Sequence, residues 1–179
     1  MVELDHFKKE KYRMKMLTKN LILRTLILDD LEEIARMWNY PAGVSCEDAA
    51  EILKGMQENL KKNKPGAIYH LCLGVFEKKD PKRIIGWCGL DGTATPGKTV
   101  LFYIIDEKKR NKGYATQCAD ELLRYAFEDM GYNSIQSGCA RDNIASYRVM
   151  EKAGMRLISR TKHGGYNFEI SKEDFFDRC

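Results

Sequence analysis

None of the six cysteines, Cys46, Cys72, Cys88, Cys118, Cys139 and Cys179, belongs to a C-x-x-C pair or lies near a histidine at zinc-ligand spacing. That excludes a zinc module, and the thiols read as reduced and buried rather than as a disulfide framework. No apolar stretch approaches the roughly 20 residues that a membrane-spanning helix needs, and the first fifteen residues are charged. Neither sign of charge dominates: the net charge is +4, with basic and acidic residues interspersed throughout. A dedicated nucleic-acid binder would look different. Internal repeats and low-complexity tracts are missing too. These exclusions leave an expectation of one soluble, cytoplasmic domain at residues 18–179 behind a charged lead-in at 1–17. Nucleic acid, membrane and metal are not expected among its partners.

What is present suffices for a core, since 44% of the 179 residues are apolar. Their spacing sets out the elements. Residues 21–26 read as a strand. Asp29 and Asp30 cap a helix carrying Leu31, Ile34, Ala35 and Trp38, which Pro41 ends. Ser45 and Asp48 open a second helix with Ala49, Ile52, Leu53, Met56 and Leu60 on one face. Residues 68–76 and 83–90 read as an antiparallel hairpin across the turn at 78–81, and a Gly- and Thr-rich loop follows at 91–98. Residues 100–105, Val-Leu-Phe-Tyr-Ile-Ile, are apolar at every position, as in a central strand covered on both faces. Next come a helix to Met130 stopped by Gly131, a strand at 134–140 and a short helix from Asn143 to Ala153. Two last strands, 155–161 and 166–170, are joined at His163-Gly164-Gly165. The order predicts an α/β (α+β) fold, a single mixed, mostly antiparallel sheet flanked by helices. One parallel crossover links the strand at 100–105 to that at 134–140.

Two segments carry phosphate-binding signals. Gly92-Thr93-Ala94-Thr95-Pro96-Gly97-Lys98-Thr99 matches G-x-x-x-x-G-K-[ST], the phosphate loop of nucleotide hydrolases. That loop works only when its Lys and Thr open a helix, and here Thr99 runs into strand material. The acidic strand end imitated by Ile104-Ile105-Asp106-Glu107 would also leave no residues for a crossover. The second signal is Arg110-Asn111-Lys112-Gly113-Tyr114-Ala115-Thr116, at a strand-to-helix joint. The first N–H groups of a helix have no internal partner and sit at the positive end of its dipole, so they gather around a phosphate. Gly113 offers no Cβ to hold a ligand off, Ala115 keeps the next turn small, and Arg110 and Lys112, with Lys108 and Lys109 upstream, add charge. An ordinary turn glycine in a solvated charge run is the competing reading.

Taken in order, R-x-x-G-x-A at 110–115, Arg141-Asp142-Asn143-Ile144-Ala145-Ser146 and Glu151-Lys152-Ala153-Gly154-Met155 resemble the GNAT N-acetyltransferase family. The opening Thr18-Lys19-Asn20-Leu21-Ile22-Leu23-Arg24, with Asp30 after it, resembles the ribosomal-protein N-terminal (RimJ/RimL-like) branch. The resemblance runs from Thr18 to Ile170 and implies a GNAT-like acyl-CoA N-acyltransferase fold. It implies acetyl-CoA as co-substrate, lying where the strands at 100–105 and 134–140 splay apart. Main-chain groups around Tyr103, Ile104 and Ile105 would pair with the pantetheine arm, and amides of Asn111, Lys112, Gly113, Tyr114, Ala115 and Thr116 would hold the pyrophosphate beside Arg110. Asn143 corresponds to the side chain that reaches the pantetheine. The implied reaction is direct attack of a primary amine, of a peptide or protein N-terminus or a small molecule, on the thioester within a ternary complex, by a monomer or homodimer.

Many members place a Tyr four residues before the glycine of the last motif as general acid, where this chain has Met150. Ser146 matches the serine of the ribosomal-protein branch, and Tyr147 is a second hydroxyl nearby. The plain readings are that Ser146 is a first-turn helix residue and Asn143 an N-cap. The strand at 100–105 has no Glu of the kind some relatives use as base, which leaves Asp91, His70, Glu169 or a water chain. These departures keep open a catalytically degenerate CoA-binding sensor, with a nucleotide hydrolase through residues 92–99 as the other alternative.

Overall fold

The strands of the computed structural model, which describes residues 13–39 and 41–178, are β1 (Lys15–Leu17), β2 (Leu21–Arg24), β3 (His70–Glu77), β4 (Asp80–Thr95), β5 (Lys98–Ile105), β6 (Ser134–Cys139), β7 (Arg156–Arg160) and β8 (Tyr166–Ser171). The helices are α1 (Leu31–Met37), α2 (Cys46–Leu60), α3 (Tyr114–Arg124), α4 (Ile144–Lys152) and α5 (Lys172–Asp177). The strands form one sheet in the order β1-β2-β3-β4-β5-β6-β8-β7. Every neighbouring pair is antiparallel except β5 and β6, which α3 joins as the crossover. This is the mixed, mostly antiparallel sheet that the apolar spacing predicts.

Strand alternation divides the core. One face of the sheet packs Leu71, Leu73, Leu90 and Leu101 against Cys118, Leu122 and Phe127 of the crossover segment and Met150 of α4. On the other face, Ile34, Met37, Ala49 and Leu53 of α1 and α2 cover Phe76, Ile84 and Trp87. The strands approach closely at Gly89, where a Cβ would lie 1.8 Å from the carbonyl oxygen of Leu71 and 2.6 Å from the Phe102 ring. Only a residue without a side chain fits there.

Four details depart from the sequence expectation. Residues 91–98 are not a loop: β4 runs on to Thr95, and Thr95 pairs with Lys98 across a tight turn. Cross-strand pairing overrides the low strand propensity of Gly and Thr-Pro there. Lys98 and Thr99 therefore open a strand, and the nucleotide-hydrolase match has no helix to serve it. The sheet begins at Lys15, inside the stretch read as a lead-in, because β1 pairs with β2; residues 1–12 of that stretch lie outside the described residues. The helix expected to run to Met130 is α-helical only to Arg124 and widens into a π-helical turn over Tyr125–Asp129. There Arg124 bonds to Glu121, Glu128 and Asp129. Finally, α5 was not anticipated; Ser171 caps it, and it buries Phe175 against Phe127 at 5.4 Å between ring centroids.

Candidate functional site

β5 and β6 start together and then part. Among the described residues, Val100 and Gln136 are their one registered pair, and Ser137 Oγ donates to the Leu101 carbonyl at 2.9 Å just beyond it. Past that bond the C-terminal half of β5 stays paired with β4 on one edge, but on its β6 edge no strand is registered beside it among the described residues. Ile104 is consequently 59% exposed, which corrects the expectation of a strand covered on both faces. Its side chain lines the opening that the parting strands leave.

The next residues turn that opening into a cleft. Asp106 caps a short turn, its carboxylate accepting from Lys108 N at 2.9 Å, and the Arg110 guanidinium folds back to the Ile105 carbonyl at 3.2 Å. Asn111 has φ +60° and Gly113 φ +73°, two left-handed residues with Lys112 between them. Asn tolerates that conformation better than most side chains and Gly adopts it freely. Such alternation turns successive N–H groups inward as an anion nest, and α3, which has no side-chain cap, starts directly from it. Added at Gly113, a Cβ would meet nothing within 4 Å, so that position faces open space.

The cleft has a volume of about 790 Å³. Of the residues singled out from sequence, Tyr103, Ile104, Ile105, Arg110, Asn111, Gly113, Tyr114, Ala115, Thr116, Asn143 and Ser146 all line it. Lys112 is exposed and outside the lining. Tyr147 also lies outside it and packs edge-on against Tyr166 and Phe168, at 5.0 and 5.1 Å between centroids. Lys109, expected from the sequence as added charge, lines it as well, whereas sequence reasoning missed Ile144, Ala145, Arg148, Val149 and Lys152, which complete the wall. Their signal was available: positions 144, 145, 148, 149 and 152 fall on one face of a helix.

The wall opposite β5 is held by two hydrogen bonds. Asn143 Oδ1 accepts from Ser146 N at 3.0 Å, so Asn143 is the N-cap of α4 and keeps its NH2 group for a ligand. The Tyr103 hydroxyl donates to the Ser146 carbonyl at 3.2 Å, tying β5 to the first turn of α4. Burial pushes that phenol up to about 12, so it stays protonated and keeps donating.

Behind the nest sits Glu77, 1% exposed at the end of β3. Its carboxylate accepts from Lys109 Nζ and, at 2.7 Å, from the Tyr114 hydroxyl, and Lys79 Nζ stands 3.6 Å away. Burial alone would raise its pKa. The bonds from Lys109 and Tyr114 and the charges of Lys109 and Lys79 prevail and hold it at about 2.

The proton-acceptor candidates lie elsewhere on the sheet, and none lines the cleft. His70 faces Asp91 across β3 and β4, stacks on Phe102 at 5.7 Å, and has a buried Nδ1 without a partner. Asp91 accepts from the amide and hydroxyl of Thr93, both at 2.7 Å. Glu169 accepts from Gln136 Nε2 at 3.0 Å. A second cavity of about 530 Å³, lined by Cys139, Arg141, Asp142, His163, Tyr166 and neighbours, lies where β6 meets the tip of the β7–β8 hairpin. Among the described residues, no group of side chains could hold a metal ion and no helix is long and apolar enough to cross a membrane.

A strand released from its partner beside an anion nest defines a class, and comparison with known proteins gives the class its name. Residues 20–156 match the model of the acetyltransferase (GNAT) domain, and the chain belongs to the GNAT acetyltransferase family. It is 35% identical over 77 residues to the uncharacterised N-acetyltransferase YnaD of Bacillus subtilis, an overlap covering 43% of this chain and 36% of that protein. The overlap takes in about half the length of two further Bacillus subtilis relatives, YjcK and YjdG, and 81% of a third, YoaA, at 26% identity. Among solved structures, the ribosomal-protein-S5-alanine acetyltransferase of Vibrio fischeri superposes with a TM-score of 0.76 at 14% identity, covering 90% of this chain and 98% of that one. RimJ of Mycobacterium smegmatis, in complex with CoA-disulfide, gives 0.72 at 13% identity, covering 86% and 83%. At such identities the likeness establishes the shared fold.

Proposed function

We propose that this chain is an N-acetyltransferase that takes its acetyl group from acetyl-CoA, with the cleft between β5, α3 and α4 as the donor site. The observation that carries this is a coincidence of two unsatisfied backbone surfaces in one opening. The free edge of β5 at Tyr103 to Ile105 is suited to the amide groups of a pantetheine arm, and the nest at Asn111 to Thr116 is suited to a diphosphate. Arg110, Arg148 and Lys152 add positive charge at the walls. The NH2 group of Asn143 is left for the arm, and Ser146 stands at the start of α4 beside Tyr103, where its hydroxyl can donate to the departing sulfur.

The acceptor is a primary amine, with a peptide N-terminus as the first choice; residues 18–24 and the fold shared with an S5-alanine acetyltransferase support it. The neutral nitrogen attacks the thioester carbonyl, the C–N bond forms as C–S breaks, the surplus amine proton passes to a carboxylate or to water, and the thiolate takes up a proton. The cavity at the β7–β8 hairpin adjoins the donor cleft through Asp142 and Asn143 and offers the acceptor a way in.

Release of free CoA thiol, measured with a panel of N-terminal peptides and small primary amines, tests this reading. Turnover with at least one amine is expected. Binding of acetyl-CoA without turnover on any of them would favour a sensor, and stabilisation by Mg-ATP instead would revive the nucleotide hydrolase.

A further inference from the structure

We propose that Glu77, a buried carboxylate outside the donor cleft, is the positioning residue that sets the shape of the diphosphate nest. This rests on the donor reading above and deepens it. The loop that opens the nest is residues 110–113, and Lys109 and Tyr114 stand immediately on either side of that loop. Both flanking side chains converge on the same carboxylate: Lys109 Nζ donates to Oε2, and the Tyr114 hydroxyl donates to Oε1 at 2.7 Å. Glu77 is 1% exposed and fixed in the sheet, its neighbours across the strands being Leu21 and Asp80. One rigid point on β3 thus pins the two ends of a loop that contains two left-handed residues, Asn111 and Gly113. Pinning at both ends removes backbone freedom before a ligand arrives, which lowers the entropy cost of binding an anion. The arrangement also assigns Lys109 a role other than direct charge donation. It lines the cleft, but its ammonium is committed to Glu77; the other positive charge near the nest comes from Arg110, which also reaches the Ile105 carbonyl and Glu107, and from the exposed Lys112.

A truncated donor separates this role from a general contribution to the fold. S-acetylpantetheine carries the thioester and the arm but no diphosphate. In Glu77→Gln, kcat/KM with acetyl-CoA is expected to fall by about tenfold, the size of one lost charge-assisted hydrogen bond, through KM and not kcat. With S-acetylpantetheine the same variant should match the wild type. Equal losses with both donors, or no loss with acetyl-CoA, would overturn the proposal. If Glu77→Gln does not fold, Tyr114→Phe leaves the Lys109 pair intact and releases one end of the loop; it should show the same selective loss on a smaller scale, and an unselective loss or none would overturn the proposal. A wild-type chain that uses neither donor would instead remove the acetyl-CoA reading, and this inference with it.

Discussion

At position 113 backbone strain and ligand contact can be separated by a single methyl group. Gly113 has φ +73° and open space where a Cβ would stand, so Gly113→Ala meets no clash in the free protein and is charged only for its left-handed backbone, about 1–2 kcal/mol. The methyl group would project into the cleft, and acetyl-CoA affinity should fall by more than this stability change; calorimetric titration of the folded variant checks it. Glu77 gives a residue-scale prediction with a defined pH window. Its folded pKa, about 2, lies below the ordinary 4.5, so its stabilising effect is complete above pH 4.5 and is lost as pH falls from there towards 2. The groups facing it are Lys109, Tyr114 and Lys79. Unfolding free energies of the wild type and Glu77→Gln from urea titrations should differ by an amount, on the order of 2–3 kcal/mol, that is constant from pH 7 to about 5 and shrinks below 4.5. A difference that grew on acidification would contradict the assignment.

Strands and helices were legible where their apolar spacing was regular. β5, the early helices and the crossover helix all announce themselves in this way, and the R-x-x-G-x-A string located the nest. Three parts of the structure had no such signal. The extension of β4 through Gly92 to Thr95 depends on pairing with Lys98, which local propensity does not encode. β1 is three residues long, and among the described residues its only sheet neighbour is β2. The cleft-facing side of α4 differs from these, because the helical spacing of Ala145, Arg148, Val149 and Lys152 marks it in the sequence although the motif residues Asn143 and Ser146 do not. The convergence of Lys109 and Tyr114 on Glu77, 32 and 37 residues distant, could not be read from spacing at all. The close packing of β4 makes an element-scale prediction. Gly89→Ala places a methyl group 1.8 Å from the Leu71 carbonyl oxygen, deep between strands that cannot separate locally. A loss of about 3 kcal/mol or more is expected, lowering the Tm by at least about 6 °C in a thermal scan.

For the whole molecule, the sheet is a device for releasing one strand edge at a chosen point. Parallel pairing of β5 with β6 stops after one register position, the crossover helix begins from a left-handed loop beside the gap, and α4 closes the opposite wall. The two aromatic and aliphatic cores on either side of the sheet hold these three parts in place, so the cleft exists before any ligand enters. A crystal structure of the chain soaked with acetyl-CoA is the most direct test. The diphosphate should sit within hydrogen-bond distance of the amides between Asn111 and Thr116, with the pantetheine arm alongside Tyr103 to Ile105. A cofactor bound elsewhere while this cleft stays empty would contradict the account.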